Sequence, residues 1–263
     1  MFLKGQAQIT VRDAKGKVKS QTNHDNALAG NVKSGLLAAL SGTGSYSSGY
    51  TPTRIGLVTT NNLSTSDKKI LGNRSISTTG GGSTYVVSFS VDGFVSPGTG
   101  LDKVQFVYLL SDSNVVGFTT ANPNPQFDQG DTIDIVYKII LTPSSSRVST
   151  TLLERLSKII QGQPEPTSGG TYVPQSQYVH VSHATLFDGV TAVTGKQAIA
   201  YEIGSSASCN IKFAEIPSSN VDKARFYVNE AGNFIEVYNQ DIDVPTTFTL
   251  GDNLIIPFSI TVS

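Results

Sequence analysis

Histidines, paired aspartates, a glycine run and one cysteine are the residues whose types could carry chemistry, and their spacing argues against most of it. His180 and His183 stand three apart in a segment that reads as a strand, its core being Tyr178–Ser182. In a strand, residues i and i+3 point to opposite faces, so these two imidazoles cannot share a metal ion. His24 lies in Gln21-Thr22-Asn23-His24-Asp25-Asn26, which reads as a polar turn. There is neither an HExxH pattern nor a Cys/His set at zinc spacing. Asp131-x-x-Asp134 and Asp241-x-Asp243 offer oxygen ligands. Two carboxylates without an EF-hand loop are too few for calcium, and they read as solvated strand-end groups. Gly80-Gly81-Gly82 lacks the Lys-Ser/Thr that completes a phosphate loop and reads as a flexible turn. Serines are abundant, but none sits in a nucleophile elbow. Cys209 is the single cysteine, so no intrachain disulfide is possible, and its alternating surroundings predict burial as a small hydrophobe. The expectation is a protein that is no enzyme and holds no cofactor and no metal.

Aromatic side chains give the one binding signal. Tyr46 and Tyr50 lie in a Gly/Ser-rich loop, Ser41–Thr53, and Tyr172 lies in a second such loop, Gln163–Pro174. Exposed loop tyrosines suit sugar stacking or contact between subunits. Tryptophan, the strongest marker of a sugar platform, is absent from the chain. Tyr46, Tyr50 and Tyr172 are therefore read as candidate interface residues, with glycan binding as the alternative.

The composition describes the scaffold that must position them. The chain has 263 residues, 38% hydrophobic and only 15% charged, against about 25% charged in average globular proteins. Ser, Thr, Asn, Gln and Gly replace the missing charge, which suits a loop-rich β protein whose surface repels neighbouring copies weakly. A net charge of −1 excludes the basic footprint of a nucleic-acid binder. Lys15, Lys17 and Lys19 alternate and read as one solvated strand face. Met1 to Val11 contains Lys4 and Gln6 and no signal-like apolar run, and no segment approaches the ~18 apolar residues of a membrane span. Synthesis in a cytoplasm without membrane association is expected.

An internal repeat organises the chain. Leu101-Asp102-Lys103-Val104-Gln105-Phe106 returns as Val221-Asp222-Lys223-Ala224-Arg225-Phe226, an offset of 221 − 101 = 120. Phe127-x-x-Gly130-Asp131 returns as Phe248-x-x-Gly251-Asp252, and Ile133, Ile135, Tyr137, Ile139 and Leu141 align with Leu254, Ile256, Phe258, Ile260 and Val262. Alternate residues line one strand face, so both sets should be central to a core. Leu36, Leu37 and Leu40 align with Leu152, Leu153 and Leu156 at an offset of 116. The second set continues to Ile159 and Ile160 as an amphipathic helix, with Thr151 and Glu154 at capping-box spacing and Gly162 at its end. The first helix, Asn31 to Leu40, reads as shorter and ends at Gly42. A hairpin, Gln6–Arg12 to Lys17–Ser20, precedes the first copy alone. Pro257 stands where the repeat has Val136, which predicts an edge-like or bulged place there. The fold class expected is mainly β: two tandem antiparallel β-sandwich or jelly-roll-like domains, 1–143 and 144–263, each with one short helix.

The order of these elements resembles structural proteins of virus particles, especially tail, fibre and capsid-exterior or turret proteins of phages. The residues that carry the resemblance are the hairpin Ile9 to Val18, the Asn-containing stretch Asn23 to Asn31 before a Leu-rich helix, the strand Arg54-Ile55-Gly56-Leu57-Val58, and the closing strand Phe127 to Leu141. The resemblance covers most of the first half, and the second half without its hairpin. It implies a non-enzymatic virion component that forms homo-oligomers and contacts other virion proteins, with host-surface glycans as the further partner of the adhesion alternative. It brings no catalytic residue with it.

Overall fold

A computed structural model describes residues 1–60, 67–95, 102–112, 114–143, 148–162, 178–203, 208–216, 219–249, 252–259 and 261–262. The chain is mainly β, with several antiparallel sheets, and two α-helices occur among the described residues. In chain order the first half is Phe2–Arg12 (β1), Val18–Leu28 (β2), Gly30–Ser41 (α1), Arg54–Thr59 (β3), Asp67–Ile70 (β4), Asn73–Thr79 (β5), Thr84–Val95 (β6), Asp102–Leu110 (β7), Val115–Thr120 (β8), Gln126–Phe127 (β9) and Thr132–Thr142 (β10). The second half is Thr150–Gln161 (α2), Val181–Asp188 (β11), Thr191–Ala192 (β12), Gln197–Ala198 (β13), Ala200–Ile203 (β14), Ser208–Ile216 (β15), Ser219–Glu230 (β16), Asn233–Phe248 (β17), Asp252–Ser259 (β18) and Thr261–Val262 (β19).

The repeat is visible in the pairing. In the first half β3 pairs β7, β7 pairs β8, β5 pairs β6 and β6 pairs β10. The same four pairings recur as β11 with β16, β16 with β17, β14 with β15 and β15 with β18. What differs is the hairpin. Strand β1 pairs β10 along its whole length and β2 on its other side, and the end of β2 pairs β8. The hairpin thus splices two sheets into one that holds all ten strands of the first half, and β19 joins it as an eleventh by pairing β1 in parallel; among the described residues the other second-half strands form separate sheets of five and three. Only the end of β2 has a counterpart: Ala29 N donates to Val116 O at 2.9 Å, and Ser149 N donates to Val237 O at 2.9 Å. Among the described residues β18 pairs β15 alone, an edge position that accommodates Pro257.

The helices correct the repeat. Both span 12 residues, with C-cap glycines Gly42 and Gly162 in the left-handed region, so their offset is 162 − 42 = 120. Every buried position of α1, from Val32 to Ser41, falls on a buried position of α2 when advanced by that offset. Leu36, Leu37 and Leu40 therefore match Leu156, Ser157 and Ile160. The expected offset of 116 differs by four residues, about one helical turn, and a shift of one turn leaves an apolar stripe almost in phase. The cap of α2 is Ser149, whose Oγ accepts from Leu152 N at 3.2 Å. Glu154, expected in a capping box, instead pairs with Lys158 at 2.9 Å. The strand expected at Tyr178–Ser182 begins later, at Val181.

One apolar cluster runs through both halves. Ile133, Ile135, Tyr137, Ile139 and Leu141 are all fully buried, as the alternation predicts. Helix α2 lies over β5, β6 and β10 of the first half and also touches β17. The helix ends meet the opposite halves: Gly42 abuts His180 and Gly162 abuts Thr51. Arg74 of β5 donates to Gln161 O at 3.2 Å.

Tyr137 carries a cost inside this core. Its hydroxyl is buried without a hydrogen-bond partner among the described residues, and burial pushes its pKa well above the ordinary phenol value. Gly117 makes the room, since a Cβ there would lie 2.3 Å from the hydroxyl oxygen. An unpartnered buried hydroxyl costs about 1–3 kcal/mol. Tyr137→Phe is therefore expected to leave stability unchanged or raise it by about 1 kcal/mol, read as the urea midpoint. A loss above about 1 kcal/mol would mean that the hydroxyl is in fact satisfied.

Candidate functional site

The tyrosines singled out from sequence are not a surface pair. Tyr46 is buried, packs edge-on against Tyr50 at 5.8 Å and 64°, and donates its hydroxyl to Tyr50 O at 3.0 Å. Both rings rest on Gly35 of α1, where a Cβ would come within 3.2 Å of each. The expectation of an exposed loop is corrected for Tyr46: the missing side chain at Gly35 gives the rings a bed, and the loop folds back over α1. Tyr50 is half-buried, and Tyr172 lies outside the described residues.

The titratable groups are equally occupied. His24 is in β2, not in a turn, and is buried. Its Nδ1 accepts from Asn122 N at 3.2 Å, so the proton sits on Nε2, 2.9 Å from Thr22 Oγ1. His183 lies on β11 edge-on to Phe234 at 4.9 Å, while His180 precedes that strand and faces Gly42, so the two do not converge. Asp131 was expected in solvent, yet it is buried, accepting from Asp128 N at 2.8 Å and pairing with Lys19. Asp134 pairs with Arg12 at 2.6 Å. These carboxylates fasten the hairpin to β10 rather than hold an ion. No group of three His, Cys, Asp or Glu side chains that could hold a metal ion occurs among the described residues.

Burial lowers the pKa of His24 below its ordinary value, and lowers that of His183 likewise. The folded chain then binds fewer protons than the unfolded chain once the pH drops under the unfolded value of about 6.5. Stability is expected to hold above that pH and to fall as the pH drops toward the folded values. Urea midpoints measured from pH 7.5 to 5 check this. His24→Gln should flatten the slope, and an unchanged slope would remove His24 as its cause.

A groove not singled out from sequence lies on the outer face of β3, β4, β7 and β8. Register places Lys68, Gly56, Tyr108 and Phe118 in one cross-strand row. Arg54, Leu110 and Val115 form the next row. Gly56 forms the dip between them, since a Cβ there would meet Leu110 at 3.2 Å and Tyr108 at 3.7 Å. The resulting cleft of about 250 Å³ is lined by Arg54, Lys68, Tyr108, Leu110, Val115 and the turn residues Ser111, Asp112 and Asn114. The Tyr108 ring is backed by Phe118, stacked at 6.2 Å and 28°.

No family model matches this chain, and neither a curated protein nor a solved structure does.

The groove must accordingly be read from its own groups. Arg54 and Lys68 are exposed, and among the described residues neither has an ion pair or hydrogen bond. Asp112 accepts from Thr53 Oγ1 at 2.9 Å, and Asn114 Nδ2 donates to Gly49 O at 3.0 Å. Among the described residues the arrangement offers two unpaired cations, one carboxylate and an aromatic face. It can bind. One sequence signal could have found it. Phe106-Val107-Tyr108-Leu109-Leu110 is apolar on both faces, which a strand with a plain solvated face would not be.

Proposed function

We propose that this chain is a non-enzymatic structural component of a virus particle, in its capsid, turret or tail, working through contacts between subunits. The observation that carries the reading is the unclosed second half. Among the described residues, the strands that the hairpin joins in the first half are left as separate sheets in the second; the residues before α2 cover only part of β17, and β18 pairs β15 alone. Unpaired edges invite another chain unless they are covered, and a second copy of this protein is the cover proposed. Exposed apolar residues agree with this, among them Ile255 on β18 at 52%. The low surface charge and the resemblance in element order support the same reading. Glycan adhesion through the loop tyrosines loses support, because Tyr46 faces inward.

Sedimentation of the full chain across a range of concentrations tests the proposal. Reversible association is expected, weakened by Ile255→Lys and unaffected by Val190→Lys in the exposed turn after β11. A monomer at every concentration, in crowded and particle-like solution as well, would refute it.

A further inference from the structure

We infer that the groove over Gly56 is a binding site for an acidic sugar, one that carries a single carboxylate beside ring hydroxyls. The inference is independent of the assembly reading, because it rests on a different face and on different groups. Arg54 and Lys68 stand diagonally across the β3–β4 pair, on either side of Gly56. Two cations so placed, unpaired among the described residues, can grip one anionic group between them, and a charge-assisted bond of this kind is about twice as strong as a neutral one. Tyr108, held by its stack on Phe118, offers a pyranose the rigid apolar face that sugars pack against. Asp112, in the turn that lines the cleft, can accept from hydroxyls.

This mixture of charges selects among anions. A phosphate dianion would gain from both cations but meet the Asp112 carboxylate within a cleft of only about 250 Å³. A neutral sugar would leave the two cations unused. A sugar acid uses every wall: its carboxylate lies toward Arg54 and Lys68, its ring on Tyr108, and its hydroxyls toward Asp112.

Saturation-transfer NMR and titration of the full chain decide the matter. The probes are a methyl glucuronide and a methyl sialoside, with methyl glucoside and inorganic phosphate as controls. Saturable binding of at least one acidic sugar is expected, and no measurable binding of the glucoside. Arg54→Gln or Lys68→Gln should weaken it about tenfold or more, as loss of a charge-assisted hydrogen bond does. Both residues are exposed, so these variants should unfold at the wild-type urea midpoint. Tyr108→Leu, which keeps the volume of the wall but not its aromatic face, should also weaken the sugar. Failure of both acidic sugars to bind would overturn the inference. So would phosphate binding as tightly as the sugars, or sugar binding that survives all three substitutions. None of these results bears on the sedimentation experiment, so the two readings fail separately.

Discussion

Arg155→Ala is expected to cost about 3–5 kcal/mol of stability, the range seen when one partner of a buried ion pair is removed. Arg155 lies on α2 and is almost completely buried, with its guanidinium 2.6 Å from Glu230 Oε1 at the end of β16. A second nitrogen donates to Tyr178 O at 2.6 Å, and the guanidinium plane lies over the Tyr178 ring at 4.6 Å. Truncation strands a half-buried carboxylate and a buried carbonyl together, and desolvation makes each expensive. The double variant Arg155→Ala/Glu230→Ala should be less damaging than the two single losses added, because no lone charge remains. Urea unfolding of the four proteins measures this. A single-variant cost below about 1 kcal/mol would show that the pair is solvated, as surface pairs are.

Gly42→Ala should be the next most damaging change, at about 2–4 kcal/mol from left-handed strain and overpacking together. Gly42 caps α1 at φ 69°, and a Cβ there would lie 2.5 Å from the His180 ring. Gly162→Ala meets Thr51 Cγ2 at 2.3 Å, a methyl on a short side chain that has other rotamers. It should therefore cost less. Removing the obstacle separates the two contributions. In a His180→Ala background, Gly42→Ala should retain only the backbone part, about 1–2 kcal/mol. An undiminished cost there would mean that the helix ends do not depend on the contact between the halves.

Much of the fold was legible because burial follows a simple rule. The strict alternation of β1 and β10 survives in the structure residue by residue, and both C-cap glycines stop their helices where the sequence places them. The helix register was not legible, since a one-turn slip preserves an apolar stripe. Nor was the burial of Tyr46: a Gly/Ser loop suggests exposure, while the bed that receives the ring is Gly35, eleven positions earlier on α1. His24 misled because polar neighbours suggest a turn, whereas in β2 they alternate outward around an inward histidine. The groove was hidden for another reason. Residues 54, 68, 108 and 112 meet only through the pairing of β3 with β4 and β7, and pairing partners leave no local signature.

The placement of α2 across the first half has a consequence for synthesis. The strands it covers are complete once Thr142 has been made, but its anchors Glu230 and Val237 come far later. From Thr142 to Glu230 the ribosome must add 230 − 142 = 88 residues, which at roughly 5–20 residues per second takes about 4–18 seconds. Throughout that interval α2 is already made but lacks the anchors that hold it over β5, β6 and β10. The emerging first half is thus a client for chaperones, and a transcript broken near codon 143 should yield aggregate instead of a smaller folded protein.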